Sequence, residues 1–432
     1  MASTIDIHVR HVTRVEGHGN IVLRAHDGRI EKLEWQVPEA PRFFEAMVRG
    51  RSYEDIQTIV SRICGICSVT HSFAAIKAVE DAMGITVSEQ TDQLRMLLHY
   101  SEQMESHSLH VGYLVAPDLL GQKSVVPLVA SHPDVVKTVI KLHRIGNQWM
   151  EALGGRMTHP VTIKPGGFAS LPTEAYLREL KKTLQDAIPD LKRVAEVVLS
   201  LAGKLPAFDR PTEYVALVDP GHYTFYHGEI GSTDAKTPMP VRTFEQAVNE
   251  YVSPQSTAKW CKWHRESYMA GALARFNLNA DFLHPMAKET AKMLGLKKGC
   301  GNPYMNNVAQ VVELVQVTED SLRLIDELLL KGIRREVPKV QPREGEGAGA
   351  VEAPRGILFH RYAFDKKGLC VKANCCIPTN QNHANIQKDF EALVPQIIGR
   401  PQDEIRLALE MLVRAYDPCI SCSTHYLDVT FV

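Results

Sequence analysis

The sequence lacks any apolar run approaching the ~18 residues that a membrane-spanning helix needs. Its longest apolar candidates, such as Leu322–Leu330, are broken by charge within a few positions. A membrane span is excluded on that ground. It also lacks a charge excess: 49 Lys and Arg stand against 50 Asp and Glu, so no basic face suited to nucleic acid is expected. Cysteine is scarce and odd in number, nine in 432 residues. Four of the nine sit in two Cys-x-x-Cys pairs, which argues against a disulfide scaffold and for an intracellular metal or redox site. Met1–Arg10 mixes acidic, basic and imidazole groups where a secretory signal would be apolar, so no such signal is expected. There is no P-loop. Gly345–Gly349 has alternate glycines without the G-x-G-x-x-G spacing, no apolar strand leads into it and Pro354 follows. The stretch Glu344–Ala350 therefore reads as a flexible loop and not as a nucleotide fingerprint.

What is present is an ordinary globular composition, 44% hydrophobic and 23% charged, in a chain long enough for about three domains or one large interlocked one. Apolar and polar residues alternate in Ile5–Val9, Asn20–Leu23 and Ile30–Val37, with an Asp27-Gly28 turn signal between the last two. This predicts a small β-meander. Helical spacing then takes over, with a long helix expected over Gln90–Tyr113 after Ser88, and another over Thr173–Ala202. Further helices are expected at Phe244–Val252, Pro285–Leu296, Asn306–Leu330 and Asp403–Tyr416. The expected class is mainly α with smaller β parts (α+β), in a single large domain. Residues 1–40 would form a β segment and 41–153 the first half of a helical core. Residues 154–240 would be a mixed α/β insertion, and 241–432 the second half of the core.

The chemistry concentrates in Arg62-Ile-Cys64-Gly-Ile-Cys67-Ser-Val-Thr-His71 and Asp417-Pro-Cys419-Ile-Ser-Cys422-Ser-Thr-His425. The two pairs lie over 350 residues apart, far beyond the ligand spacing of a zinc finger or ribbon. Soft thiolates select nickel, copper(I), zinc or iron–sulfur chemistry, and composition alone does not choose among them. A closed structural zinc site would not need the polar groups found in and beside these motifs: Glu16 in Thr13-Arg-Val-Glu-Gly-His18, Arg62, His71, Arg355 in Ala353-Pro-Arg-Gly356, Asp417 and His425.

The order and placement of these motifs, together with Pro378-Thr379, resemble the catalytic large subunit of the nickel-iron hydrogenases. Chain length and the stretch Glu39-Ala-Pro-Arg-Phe-Phe-Glu45 resemble the cytoplasmic, multi-subunit bidirectional branch. The resemblance implies a central bundle of long helices and reversible heterolytic cleavage of H2. It implies Cys64 and Cys419 as terminal nickel ligands, and Cys67 and Cys422 as bridges to an iron that carries carbon monoxide and cyanide. Glu16 would start the proton's exit, Arg355 and Thr379 would face the cyanide nitrogens, and Asp118 and Asp417 would orient Arg355. His71 would bond a bridging sulfur, with Arg62 and Pro378 close by. Glu45, the Cys375 carbonyl and His425 would hold a magnesium or ferrous ion.

The other five cysteines, Cys261, Cys300, Cys370, Cys375 and Cys376, lack cluster spacing, so an iron–sulfur small subunit must take the electrons. The same resemblance implies further flavin and NAD(P)-linked or ferredoxin-linked subunits, maturation chaperones and an endopeptidase. Tyr426–Val432 after His425 would then be either a retained tail or an unprocessed extension. An H2-sensing regulatory subunit with the same centre is the alternative. The related quinone-site subunit of respiratory complex I is disfavoured because it lacks the four cysteines.

Overall fold

Ile5, Ile7 and Val9 point inward from strand β1 (Thr4–Val9), and their polar neighbours point outward. This alternation is what a sheet with one buried face requires. The computed structural model describes residues 4–338 and 340–424. β1 pairs antiparallel with β2 (Asn20–His26), and β2 with β3 (Arg29–Gln36). Asp27 (φ 49°) and Gly28 (φ 76°) make the turn, a hairpin geometry that needs left-handed backbone at both positions. The expected meander is therefore present. Trp35 of β3 is fully buried, and its indole N–H donates to His383 Nδ1 at 3.0 Å.

The body is helical. Helix α1 (Ser68–Met83) starts directly after Cys67 and stops at Gly84, whose φ of 64° gives the left-handed cap. Helix α2 (Glu89–Leu109) starts as expected at Ser88, whose hydroxyl accepts from Thr91 N at 3.0 Å. Its last turn widens into a π-helix, His110–Val115, where Pro117 withholds the next N–H from the ladder. Helix α3 (Pro133–Gly154) packs on α2, and a Cβ at Gly146 would lie 2.6 Å from Glu105 N. Helix α4 (Glu174–Leu201) is capped by Thr173, and α5 (Asn306–Lys331) packs against both α2 and α4. No helix among the described residues is long and apolar enough to cross a membrane. The fold is α+β, mainly helical with small sheets.

Two helices end earlier than their apolar spacing suggests. The segment from Phe244 stops at Val248, because Asn249 turns left-handed (φ 38°) and Tyr251 then forms an isolated bridge with Trp260. The segment from Pro285 stops at Met293, short of Gly295 (φ 69°). Strands Glu213–Val218, Glu229–Ser232 and Tyr268–Met269 form one mixed sheet.

The Gly/Glu-rich stretch is not a flexible loop. It is strand β4 (Gly345–Ala353), buried from Gly347 to Ala353 and paired antiparallel with β5 (Gly356–Phe364), which pairs with β6 (Cys370–Cys376). A Cβ at Gly345 would lie 2.4 Å from Ala82 O; at Gly347, 2.3 Å from Ala78 O; at Gly349, 2.3 Å from Ala74 O. The alternate glycines thus let the strand backbone lie directly on the alanine face of α1. Local composition signals a loop, whereas the reason for these glycines is contact between two elements.

The last helices are α6 (Pro378–Ile397) and α7 (Gln402–Ala415). His383 of α6 joins both ends of the chain, accepting from Trp35 and meeting Ser423 Oγ at 2.9 Å through Nε2. Burial pushes this imidazole down to about 3, so it stays neutral when folded.

Gly347→Ala should destabilise the protein by about 2–3 kcal/mol through overpacking. Gly399→Ala, where a Cβ meets nothing within 4 Å, should stay within roughly 0.5 kcal/mol; urea titration of both variants checks the contrast. The stabilisation from keeping His383 neutral is complete above its unfolded pKa, about 6.5, and is lost as pH falls from there toward about 3. Between pH 7 and pH 5 the wild type should therefore lose about 2 kcal/mol more than His383→Gln, measured by chemical denaturation at the two pH values.

Candidate metal centre

The first cysteine pair brackets the entrance to α1. Cys64 leaves the turn Ser61–Ile63 in extended conformation, and Cys67 N donates to its sulfur at 3.3 Å. Behind the pair, the free N–H groups of α1 are taken by a side chain from α2. Val69 N and Thr70 N donate to the Glu102 carboxylate at 2.6 and 3.2 Å. The second pair follows α7, with Cys422 in the 3₁₀ turn Ser421–Ser423. A short parallel bridge ties this loop to the Glu16 loop: Glu16 N donates to Pro418 O (3.3 Å) and Ile420 N to Glu16 O (2.9 Å). Gly17 (φ 83°) allows the approach, since a Cβ there would sit 2.6 Å from Ser421 N. One residue then clamps both motifs. Arg42 Nη2 donates to Ile63 O at 2.7 Å and to Ser421 O at 2.6 Å.

As a result all four sulfurs, of Cys64, Cys67, Cys419 and Cys422, lie within 4.8 Å of one another, buried, with Cys64 and Cys419 at 3.5 Å. Hydrogen bonding within the cluster, first with Cys419 and then with Cys422 and Cys67, brings the Cys64 thiol well below its usual range. Burial pushes Cys422 up. The buried guanidinium of Arg355 supplies the opposite charge. Its Nη2 donates to Asp417 Oδ1 at 3.1 Å, and Gln310 Nε2 donates to the other oxygen, also at 3.1 Å. Arg355 Nε and Nη1 are buried without a hydrogen-bond partner among the described residues. Four convergent thiols beside two unused guanidinium donors fit a thiolate-bound metal centre whose outer ligands accept hydrogen bonds.

The sequence model of the nickel-dependent hydrogenases matches residues 42–139 and 243–425. The chain belongs to this family. It is 33% identical over 426 residues to the alpha subunit of sulfhydrogenase 1 from Pyrococcus furiosus, covering 98% of each chain. It is 29% identical over 461 residues to the beta subunit of the NAD-reducing hydrogenase HoxS from Cupriavidus necator, covering 96% of this chain and 94% of that one. Its structure superposes with a TM-score of 0.84 on a chain of an NAD+-reducing [NiFe]-hydrogenase, at 26% identity, covering 98% of this chain and all of the other. The protein is the catalytic subunit of a hydrogenase, an oxidoreductase acting on H2 at a nickel–iron centre.

The hydrogenase fold brings most of the expected site residues together. Glu16 is half-buried. Its Oε2 accepts from the Cys419 thiol and from Ser421 N, both at 3.1 Å, and its Oε1 accepts from the Ser421 hydroxyl. Thr379 Oγ1 accepts from Cys419 N at 3.1 Å, and Pro378 supplies the first turn of α6, where a missing N–H costs nothing. Glu45, buried on the short helix Phe44–Val48, accepts from Cys375 N at 3.2 Å. His425 lies outside the described residues. His71 Nδ1 meets His360 Nε2 at 3.2 Å.

Two expectations need correction. Asp118 does not orient Arg355: it is bridged by Arg14 and by Arg414 (2.8 Å), and so steadies the loop that carries Glu16. Arg62 is exposed on its turn and is not packed about the sulfurs. Asp417 precedes Pro418, a position that is usually extended, yet has φ 50°. Asp tolerates the left-handed region, and Arg355 and Gln310 hold its carboxylate there.

Sequence reasoning missed Arg42, Ser421 and the series His71–His360–Tyr362–Cys375. In that series His360 Nδ1 meets the Tyr362 hydroxyl at 2.6 Å, and Tyr362 approaches Cys375 Sγ at 3.9 Å. Arg42 stands within the stretch already noted at Glu39–Glu45, which was its one available signal. Arg42→Ala should lower nickel affinity by about 10- to 100-fold, as loss of an outer partner of metal ligands does. Nickel and iron counted per purified chain check this; wild-type nickel content in the variant would remove Arg42 as the clamp.

Proposed function

We propose that Cys64 and Cys419 are terminal ligands of nickel, and that Cys67 and Cys422 bridge it to an iron bearing carbon monoxide and cyanide. When bound, this metal pair supplies the polarising, redox-active seat for heterolytic cleavage of H2. The observation that carries the reading is the contact of Glu16 Oε2 with the Cys419 sulfur at 3.1 Å, in a chain whose family activity is hydrogen chemistry.

The protein's own part is to move a proton and to hold charge. Glu16 takes the proton from the Cys419 sulfur. Its carboxylate is kept in line by the Ser421 N–H and hydroxyl, and its half-exposed side offers the proton to solvent. A positioned carboxylate within hydrogen-bond reach meets the geometric requirement for proton transfer. Arg355, fixed by Asp417, turns Nε and Nη1 toward acceptors that the chain itself does not provide; cyanide nitrogens have that character. Thr379 holds the Cys419 backbone, and through it the sulfur. Glu45, the Cys375 carbonyl and His425 would hold a hard divalent ion, magnesium or ferrous, with the remaining positions left to water.

The electrons leave for an iron–sulfur small subunit. The exposed turn of Arg62 and Gly65 beside Cys64 supports docking there. The likeness to an NAD+-reducing enzyme supports further flavin and nucleotide-linked or ferredoxin-linked subunits, and a cytoplasmic setting. Assembly would use maturation chaperones and, where a carboxyl-terminal extension exists, an endopeptidase.

Glu16→Gln preserves shape but carries no transferable proton. Nickel and iron content should be unchanged, while hydrogen–deuterium exchange between H2 and water falls by about 10²-fold or more, the scale of a lost acid–base group. Exchange at the wild-type rate would take Glu16 out of the proton route.

A further inference from the structure

A second set of ligating atoms converges away from the four-cysteine centre. Glu250, Cys261 and Cys376 each bring one ligand atom to within 4.8 Å of the others. Glu250 and Cys261 flank the bridge between Tyr251 and Trp260, whose two backbone hydrogen bonds are both 2.8 Å, so they stand opposite each other on a rigid ribbon. Cys376 comes from the last position of β6. Successive side chains of a strand face opposite ways. Cys375 accordingly joins the main core on the Glu45 side, and Cys376 joins a separate apolar cluster with Cys261, Phe244 and Phe359.

Both cysteines are fully buried and neither is in a disulfide. Glu250 Oε2 pairs with Lys259 Nζ at 2.5 Å, whereas its Oε1 is buried with no hydrogen-bond partner among the described residues. A buried acceptor without a donor is costly, and a cation would satisfy it. The charges also balance. Two thiolates and one carboxylate carry three negative charges, Lys259 returns one, and a divalent ion returns the other two. Paired sulfurs with a single carboxylate oxygen suit a borderline-soft ion that accepts both kinds of donor, as zinc does, and disfavour magnesium or calcium.

We propose that Glu250, Cys261 and Cys376 form a binding site for a thiophilic divalent cation of the zinc class, separate from the nickel–iron centre. On binding, the two thiols release their protons to solvent and no electrons change hands. The ion staples the 250–261 ribbon to the end of β6, one residue from the Cys375 backbone that meets Glu45. Its role is positional.

The test uses the nickel- and iron-loaded complex with its partner subunits, incubated with Zn2+ and desalted. Metal analysis should find one zinc beyond the complement of the Cys261→Ser complex, with nickel equal in both. Zinc X-ray absorption should show two sulfur neighbours with oxygen, not four sulfurs. Glu250→Gln should weaken zinc binding by at least the roughly 10- to 100-fold that even outer partners of a metal ligand are worth, and it decides the matter if the serine variant fails to fold. Zinc retained in full by Cys261→Ser or Glu250→Gln, no zinc in the wild type, an all-sulfur environment, or loss of two alkylatable thiols through a Cys261–Cys376 disulfide would each overturn the proposal.

Discussion

Four sulfurs that repel one another once ionised must be kept within 4.8 Å in the buried interior, and chain continuity gives no help, because Cys64 and Cys419 are separated by 355 residues. The rest of the structure answers that constraint. The late loop is hydrogen-bonded to the Glu16 loop, the early loop to the late one through Arg42, and the Glu16 loop to α7 through Arg14, Asp118 and Arg414. Each tie consists of backbone or charged hydrogen bonds that are at least partly buried, where such bonds are stronger than at the surface. Arg355 adds a buried positive charge beside the thiols, and Asp417 and Gln310 keep it aimed.

Much of this was legible in the sequence where the cause is local. The cysteine pairs sit in short contiguous motifs whose thiols state a metal chemistry, whereas the roles expected of Glu16 and Arg355 came from the resemblance of their motifs to the family. The β1–β3 meander follows from two-residue alternation and an Asp-Gly turn, and the starts of α2 and α4 follow from Ser88 and Thr173. What escaped has its cause elsewhere in the chain. Gly345–Gly349 reads as a loop until α1 is laid against it. Asp118 reads as a partner of Arg355 until Arg14 and Arg414 are seen to reach it first. Asp417 departs from the extended form usual before proline because two distant side chains grip its carboxylate. Arg42 showed nothing of its role, since the carbonyls it joins, those of Ile63 and Ser421, carry no side-chain signature.

Strand β6 shows how one short segment serves two surroundings. Its Cys375 backbone meets Glu45, and Tyr362 from β5 approaches the Cys375 sulfur, while Cys376 faces the separate apolar cluster around Phe244 and Phe359. A shift of register by one residue would exchange these faces. Antiparallel pairing of Phe359 with Cys376 and of His360 with Cys375 fixes which cysteine looks which way.

The seam between β4 and α1 also sets a distance. Helix α1 begins beside Cys67, and β4 ends two residues before Arg355, running the other way along the helix. Sulfur and guanidinium are thus joined through main chain resting on main chain. Peptide planes have no rotamers to exchange, so warming that lets ordinary side chains hop has little to loosen there. The gap across which the guanidinium faces the thiols should accordingly vary with temperature no more than the packed spacing of that helix and strand.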